Sequence, residues 1–194
     1  MKYMEKGGFQ SQPLMRLTLG LTLVFLVGFW ITNFAVYFSR MDLRPSSVVS
    51  YYNGSEEEFR PARSAASMLE TSHTHLPMMG MVLLFLTHLA IFAPLSKPAK
   101  TALILTTFVS AALEEGGGWL VRFVDPGLAA VKIVGFLGLQ AAIGFLLGSL
   151  GVFLWRSAGA PAPAAGALER RKPRRAGGLR GEPATLSAPP AQEP

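Results

Sequence analysis

Long apolar runs, separated by short polar segments, occupy most of the chain. One run covers residues 14–38 with Arg16 as its only charge, and three others cover 76–94, 101–113 and 133–155. A helix of about 20 apolar residues crosses the roughly 30 Å hydrocarbon layer of a bilayer. The pattern therefore predicts an all-α integral membrane protein with four transmembrane helices.

The pattern also sets the expected limits of each segment. We predict a cytoplasmic N-terminus at 1–13, transmembrane helices at 14–38, 76–95, 101–120 and 132–155, a periplasmic loop with a short interfacial helix at 39–75, a cytoplasmic link at 96–100, a periplasmic link at 121–131 and a disordered cytoplasmic tail at 156–194.

The first run is expected to stay in the mature protein as an anchor. It is longer than the roughly 7–15 apolar residues of a secretory signal. Phe34, Tyr37 and Phe38 also occupy the place where a signal would have small residues for cleavage.

Lysine and arginine indicate the orientation of the spans. The chain has 18 of these residues against 12 acidic ones, which gives a net charge of +6. They cluster in the N-terminal segment, in the link with Lys97 and Lys100, and in residues 170–180 of the tail. The positive-inside rule then puts both termini in the cytoplasm. We interpret the basic tail as a topology signal or a contact with anionic lipid in the bilayer, and we expect no nucleic-acid partner.

The tail and the longest loop differ in composition. From residue 157 the chain is mostly Ala, Pro, Gly and charge, which predicts disorder. In the loop, residues 61–72 favour a short helix at the outer interface, and Asn53 with Gly54 indicates a turn.

The third apolar run is too short to cross a membrane alone. Residues 101–113 give only about 20 Å of helix, so the helix must continue past Glu114 and Glu115 toward Trp119. The three glycines at 116–118 are expected to break or kink it there.

The two glutamates in this helix have two interpretations. They can lie at a frayed helix end and extend to water, with Arg122 as a partner for their charge. Alternatively, Glu114 and Glu115 form a proton or cation site that faces the interior of the bundle.

The three histidines of the chain, His73, His75 and His88, are candidate haem ligands. Membrane cytochromes hold haem b between imidazoles, and on an unbroken helix only His73 and His88 share a face, about 22 Å apart along the axis. Pro77 leaves open whether His73 is on the helix at all. No other segment has a histidine, so this hypothesis needs a homodimer, a larger membrane electron-transfer complex or a methionine for the second axial ligands.

A copper site is the alternative for the same stretch. Imidazole and thioether donors select Cu(I), and they are concentrated at His73, His75, Met78, Met79 and Met81.

A purely structural role is the third interpretation. In that case His88 hydrogen-bonds to another span, with Asn33 as its partner, and the chain is a structural membrane subunit.

Motifs for enzymatic chemistry are lacking. The chain has no cysteine, which excludes disulfides and thiolate metal sites. It contains no phosphate-binding loop, zinc-protease helix or nucleophile elbow, so we do not expect an enzyme.

Several short motifs resemble those of a group of small, uncharacterised four-span bacterial inner-membrane proteins. The motifs are YYNGSEEE at 51–58, LETSHTHL at 69–76, LTHL at 86–89 and WLVR at 119–122. The resemblance covers roughly residues 49–138 and implies a four-helix layout in a bacterial inner membrane, but no activity. The long tail departs from the compact pattern of that group.

Overall fold

The computed structural model describes residues 13–93 and 95–158, with side chains as far as residue 155. Within these residues the fold is entirely helical apart from one isolated β-bridge between Ser55 and Arg60. The elements are α1 (Pro13–Arg40), α2 (Pro45–Asn53), α3 (Ala65–Ala90), α4 (Lys97–Phe123), a 3₁₀ turn (Pro126–Leu128) and α5 (Ala129–Ala158). The predicted disordered tail lies outside the described residues from position 159 onward.

Helix α3 includes most of the segment for which the sequence predicted a separate short helix. Ser64 caps its N-terminus by accepting a hydrogen bond from the backbone N–H of Ser67 at 3.2 Å. The helix then continues through Pro77, so both His73 and His75 are helical. A proline inside a helix removes one backbone hydrogen bond, and neighbouring helices make this tolerable.

The short helix of the long loop is α2. It begins at Pro45. Proline lacks a backbone N–H, but the first N–H groups of a helix have no acceptor within the helix, so proline is well tolerated at this position. It ends at Gly54, which has a φ of 88° that side-chain-bearing residues rarely adopt. A Cβ at that position would also lie 2.7 Å from the carbonyl oxygen of Arg60. The predicted turn residue therefore ends a helix that the sequence pattern did not reveal.

The glycines at 116–118 do not break helix α4, contrary to the prediction. Two of them allow close packing instead. A Cβ on Gly117 would lie 2.7 Å from the Cα of Lys132 in α5, and one on Gly118 would lie 2.6 Å from the ring of Tyr52 in α2. Packing of this kind outweighs the low helix propensity of glycine.

Helices α4 and α5 are antiparallel neighbours joined by the 3₁₀ turn. Gly135 of α5 approaches α4 so closely that a Cβ would overlap the backbone of Glu114. A Cβ on Gly138 would lie 2.5 Å from the hydroxyl of Ser110. Small residues let helices pack at short distance, and Gly117, Gly135 and Gly138 have this role between α4 and α5.

Two groups of buried apolar side chains fill the bundle. An aromatic cluster lies at the end of the bundle that carries α2 and consists of Tyr37, Met41, Val48, Tyr52, Met68, Val121, Ala129 and Phe136. An aliphatic cluster fills the part further from α2 and consists of Met79, Leu83, Leu86, Ala90, Ala111, Leu139, Ile143, Leu146, Leu147 and Leu150. In the aromatic cluster the rings of Tyr37 and Phe136 stack with their centroids 3.7 Å apart.

Two segments among the described residues are long and apolar enough to cross a membrane by length and composition. They are α1 and the stretch Pro126–Trp155, which includes most of α5. The four-span prediction counts α3 and α4 in addition.

Candidate functional site

A buried ion pair joins α4 to α5 near the aromatic cluster. The ammonium of Lys132 binds Oε1 of Glu114 and also donates to the backbone carbonyl of Glu114 at 2.7 Å. The two residues are 6% and 9% exposed. Glu114 therefore faces the interior of the bundle and does not lie at a frayed helix end.

Tyr52 of α2 covers this ion pair. Its ring rests on Gly118, and it interacts with Lys132. Burial raises the pKa of the Tyr52 hydroxyl above its ordinary value, although the charge of Lys132 opposes the shift. The phenol therefore stays protonated at neutral pH.

A second polar chain joins α3 to α4. Nδ1 of His75 lies 2.9 Å from Oε2 of Glu115, and the hydroxyl of Ser72 donates to Oε1 of Glu115 at 2.5 Å. The indole N–H of Trp119 in turn donates to the Ser72 hydroxyl at 3.0 Å. Both carboxylate oxygens of Glu115 are thus held in place.

The two polar groups form part of the wall of a cavity of about 300 Å³. Its walls come from α1, α3, α4 and α5, and α2 contributes Tyr51 and Tyr52. Next to the ion pair the lining is polar. Further from α2 it is apolar apart from two amides, with Phe29, Asn33, Met79, Val82, Leu83, Leu139, Gln140 and Ile143 as its residues.

Two buried oxygen atoms at the cavity have no hydrogen-bond partner among the described residues. One is Oε2 of Glu114, and the other is Oε1 of Gln140. Gln140 is 4% exposed, and its backbone carbonyl accepts a hydrogen bond from the indole N–H of Trp30 at 3.0 Å. Leaving a buried acceptor unpaired costs about 1–3 kcal/mol, so each oxygen favours a bound donor or cation.

The structure separates the three histidines. Only His75 lines the cavity, whereas His73 and His88 are exposed on α3. The ring of His88 packs edge to face against Phe92 at 5.6 Å, and Asn33, its predicted partner, lines the cavity instead.

The predicted copper donors do not converge either. Met79 is buried in the aliphatic cluster and lines the cavity together with His75. Met78 and Met81 are exposed, as is His73. A helix turns by about 100° per residue, so neighbouring donors in a sequence of this kind point in different directions.

Of the two glutamates, neither pairs with Arg122. The side chain of Arg122 donates to the backbone carbonyl of Arg63 at 2.9 Å. Glu114 pairs with Lys132, and Glu115 with His75.

Sequence reasoning missed Lys132, Ser72, Tyr52 and Gln140 as members of the site. Lys132 had a usable signal, since a lysine at the start of an apolar run is expensive in a membrane and needs a partner. Its spacing from Glu114 across a short connection also suits an antiparallel helix pair. Ser72 and Tyr52 had no such signal, because their roles depend on contacts between helices distant in sequence.

Comparison with known proteins identifies a family for this chain. The model of a family described as a transmembrane helical domain matches residues 42–161. No curated protein and no solved structure matches the chain. The family match covers more than half of the sequence, so the chain belongs to this family of transmembrane helical domains and is a membrane protein.

Proposed function

We propose that this membrane protein spans the bilayer four times and binds a small apolar molecule with a hydrogen-bond donor in the cavity between its helices.

The lengths and outer surfaces of α3 and α4 support four spans. These helices have 26 and 27 residues, which corresponds to about 40 Å and exceeds the hydrocarbon thickness of roughly 30 Å. Ser72 and Glu114 are buried. The exposed surfaces of the two helices carry many large apolar side chains, which include Leu76, Met78, Met81, Leu84 and Phe85 on α3 and Leu105, Phe108, Val109 and Leu113 on α4. A surface of this kind is favourable against lipid and unfavourable against water.

The proposed orientation puts the end with α2 on the periplasmic side of a bacterial inner membrane. The basic residues Lys97 and Lys100 lie at the opposite end, which the positive-inside rule assigns to the cytoplasm. Fusions of a periplasmic reporter test this. We expect activity for a fusion in the segment after α2 and none for a fusion at Lys97, and the reverse result would reject the orientation.

The cavity is the observation that carries the ligand part of the proposal. Its volume of about 300 Å³ is at the lower end of the range for small-molecule sites. Apolar walls with few polar groups are typical of such sites. Gln140 supplies the polar group that sets specificity, because its unpaired Oε1 accepts a hydrogen bond. The ligand class is therefore a small apolar alcohol or amine.

Two isomeric probes test this assignment. Hexan-1-ol and 1-methoxypentane have the same atoms, but only the alcohol donates a hydrogen bond. We expect the alcohol to raise the melting temperature of the detergent-purified protein more than the ether does. The Gln140→Leu variant should lose this preference while keeping the apolar walls. Equal effects of both probes on the wild type, or no effect of either, would contradict the proposal.

A cavity-filling substitution provides the matched control. Val82 lines the cavity and Leu84, on the same helix, is 64% exposed. Val82→Phe should abolish the effect of the alcohol, and Leu84→Phe should leave it unchanged.

Haem binding between chains is a second candidate function. The favouring observation is that His73 and His88 are both exposed on α3, where a second copy or a partner subunit can supply the other axial ligands. Protein purified with its native partners should then show the visible bands of haem b, and His88→Ala should remove one set of bands while the chain stays inserted. A colourless wild-type protein would exclude this function.

A further inference from the structure

One side-chain cluster at the polar end of the cavity has the composition of a metal centre. His75 on α3 and Glu114 and Glu115 on α4 each direct a ligand atom to the same place. These atoms all lie within 4.8 Å of one another. The three residues therefore converge without any movement of the helices.

The spacing of His75 and Glu115 suits two ligands of one ion. Nδ1 and Oε2 are 2.9 Å apart. Two atoms bound at 2.0–2.2 Å to a tetrahedral zinc ion are about 3.3–3.6 Å apart. An ion can therefore enter between them after a small opening of the present contact.

Glu114 contributes a free anionic oxygen. Its Oε2 is buried without a partner among the described residues, and the residue is only 9% exposed. Lys132 holds the other oxygen, Oε1. The carboxylate is therefore fixed in orientation, with one oxygen available as a ligand.

Surrounding residues also hold the Glu115 ligand in place. Ser72 binds Oε1 of Glu115 at 2.5 Å, and Trp119 binds Ser72 at 3.0 Å. Hydrogen bonds of this kind orient metal ligands, and their loss typically costs 10–100-fold in affinity.

We infer that His75, Glu114 and Glu115 bind a divalent metal ion of the Zn²⁺ or Mn²⁺ class in the wall of the cavity. One imidazole and two carboxylates suit a borderline to hard divalent ion and not Cu(I), which prefers sulfur. Three protein ligands leave at least one position open toward the cavity. Two carboxylates, one ammonium and a divalent ion add up to a charge of +1 with neutral His75, so an anion such as chloride or hydroxide completes the site.

This inference does not depend on the alcohol or amine ligand of the proposed function. The metal ligands lie next to the ion pair, and the acceptor for the apolar ligand is Gln140. The Gln140→Leu variant should therefore bind metal as the wild type does.

Zinc binding to the detergent-purified full-length chain tests the inference. We expect isothermal titration with ZnCl₂ to give one site per chain, and Glu115→Gln to weaken it at least 10-fold. Glutamine keeps the size of the side chain but lacks the charge. His73→Ala and His88→Ala remove exposed histidines from the same helix and should bind zinc as the wild type does.

A readout on the wild type keeps the test decisive if Glu115→Gln does not fold. Saturating Zn²⁺ or Mn²⁺ should raise the melting temperature of the wild type and of His73→Ala equally. Absence of stoichiometric binding by the wild type would overturn the inference. Equal loss of binding in His73→Ala and Glu115→Gln would do so too, because it would indicate adventitious binding to exposed histidines.

Discussion

The two ends of the helix bundle are held together in different ways. In the aliphatic cluster, Leu86 and Leu146 are 0% exposed and contact other apolar side chains. Near α2, the contacts between helices include the buried pair of Lys132 and Glu114 and the partly exposed pair of His75 and Glu115. Lipid is as apolar as leucine, so apolar contacts alone give little preference for one helix neighbour over another. The comparison indicates that the aliphatic end fills space, whereas the polar end determines which helices are neighbours and in what register.

The same contrast appears along α5. Gly135, near the ion pair, lies against the backbone of α4, while Gly148, further along, has open space around it. The closest helix approach therefore coincides with the charged contacts. Short distance and low water access strengthen these contacts.

Among the substitutions considered, removal of Lys132 should lower the free energy of unfolding most, and it tests the contribution of the polar end directly. Lys132→Met leaves Glu114 buried with an unpaired charge, which typically costs about 3–5 kcal/mol. Denaturant unfolding of the purified protein in mixed micelles measures the change. The double variant Lys132→Met/Glu114→Gln should recover part of the loss, because no buried charge remains. A double variant as unstable as the single one would contradict a role for charge pairing.

Substitution of Gly135 should cause the next largest loss in the free energy of unfolding. Gly135→Ala puts a methyl group against the backbone of Glu114, and overpacking of this kind costs about 1–3 kcal/mol. Gly148→Ala is the matched control on the same helix, and it should be close to neutral. Equal effects of the two substitutions in the same unfolding assay would mean that the helices are not in closer contact near the ion pair.

The smallest effect is expected for the polar contact that ties α1 to α5. Trp30→Phe removes the hydrogen bond to the backbone carbonyl of Gln140, and such bonds in membranes are worth about 0.6–2 kcal/mol. Trp155 is 83% exposed, so Trp155→Phe should change stability very little. If Trp30→Phe matched Lys132→Met in its effect, the proposed difference between neutral and charged contacts would be wrong.

The sequence was sufficient for the helical class and for membrane residence. Long apolar runs with at most one charge revealed α1 and most of α5, because a bilayer requires apolar helices of about 20 residues. The orientation and the number of spans remain predictions.

The polar site was only partly predictable, because the sequence does not show which face of each helix points into the bundle. His73 and His75 are two residues apart and so point about 160° away from each other. Periodicity shows that they cannot share a site on one helix, but not which of them turns inward. The glycines at 116–118 were misinterpreted because Gly117 and Gly118 pack against Lys132 and Tyr52, which lie on other helices.

The ion pair between Glu114 and Lys132 also has a consequence for the way the chain enters a membrane. A charged residue in an inserting helix is costly, by roughly 2.5–3.5 kcal/mol at the helix centre on translocon scales and by less toward the helix ends. Here the two charges lie on consecutive helices joined by a short 3₁₀ turn, and they neutralise each other through direct hydrogen bonds. Helices α4 and α5 are therefore expected to partition into lipid together, as one hairpin, during synthesis of the protein.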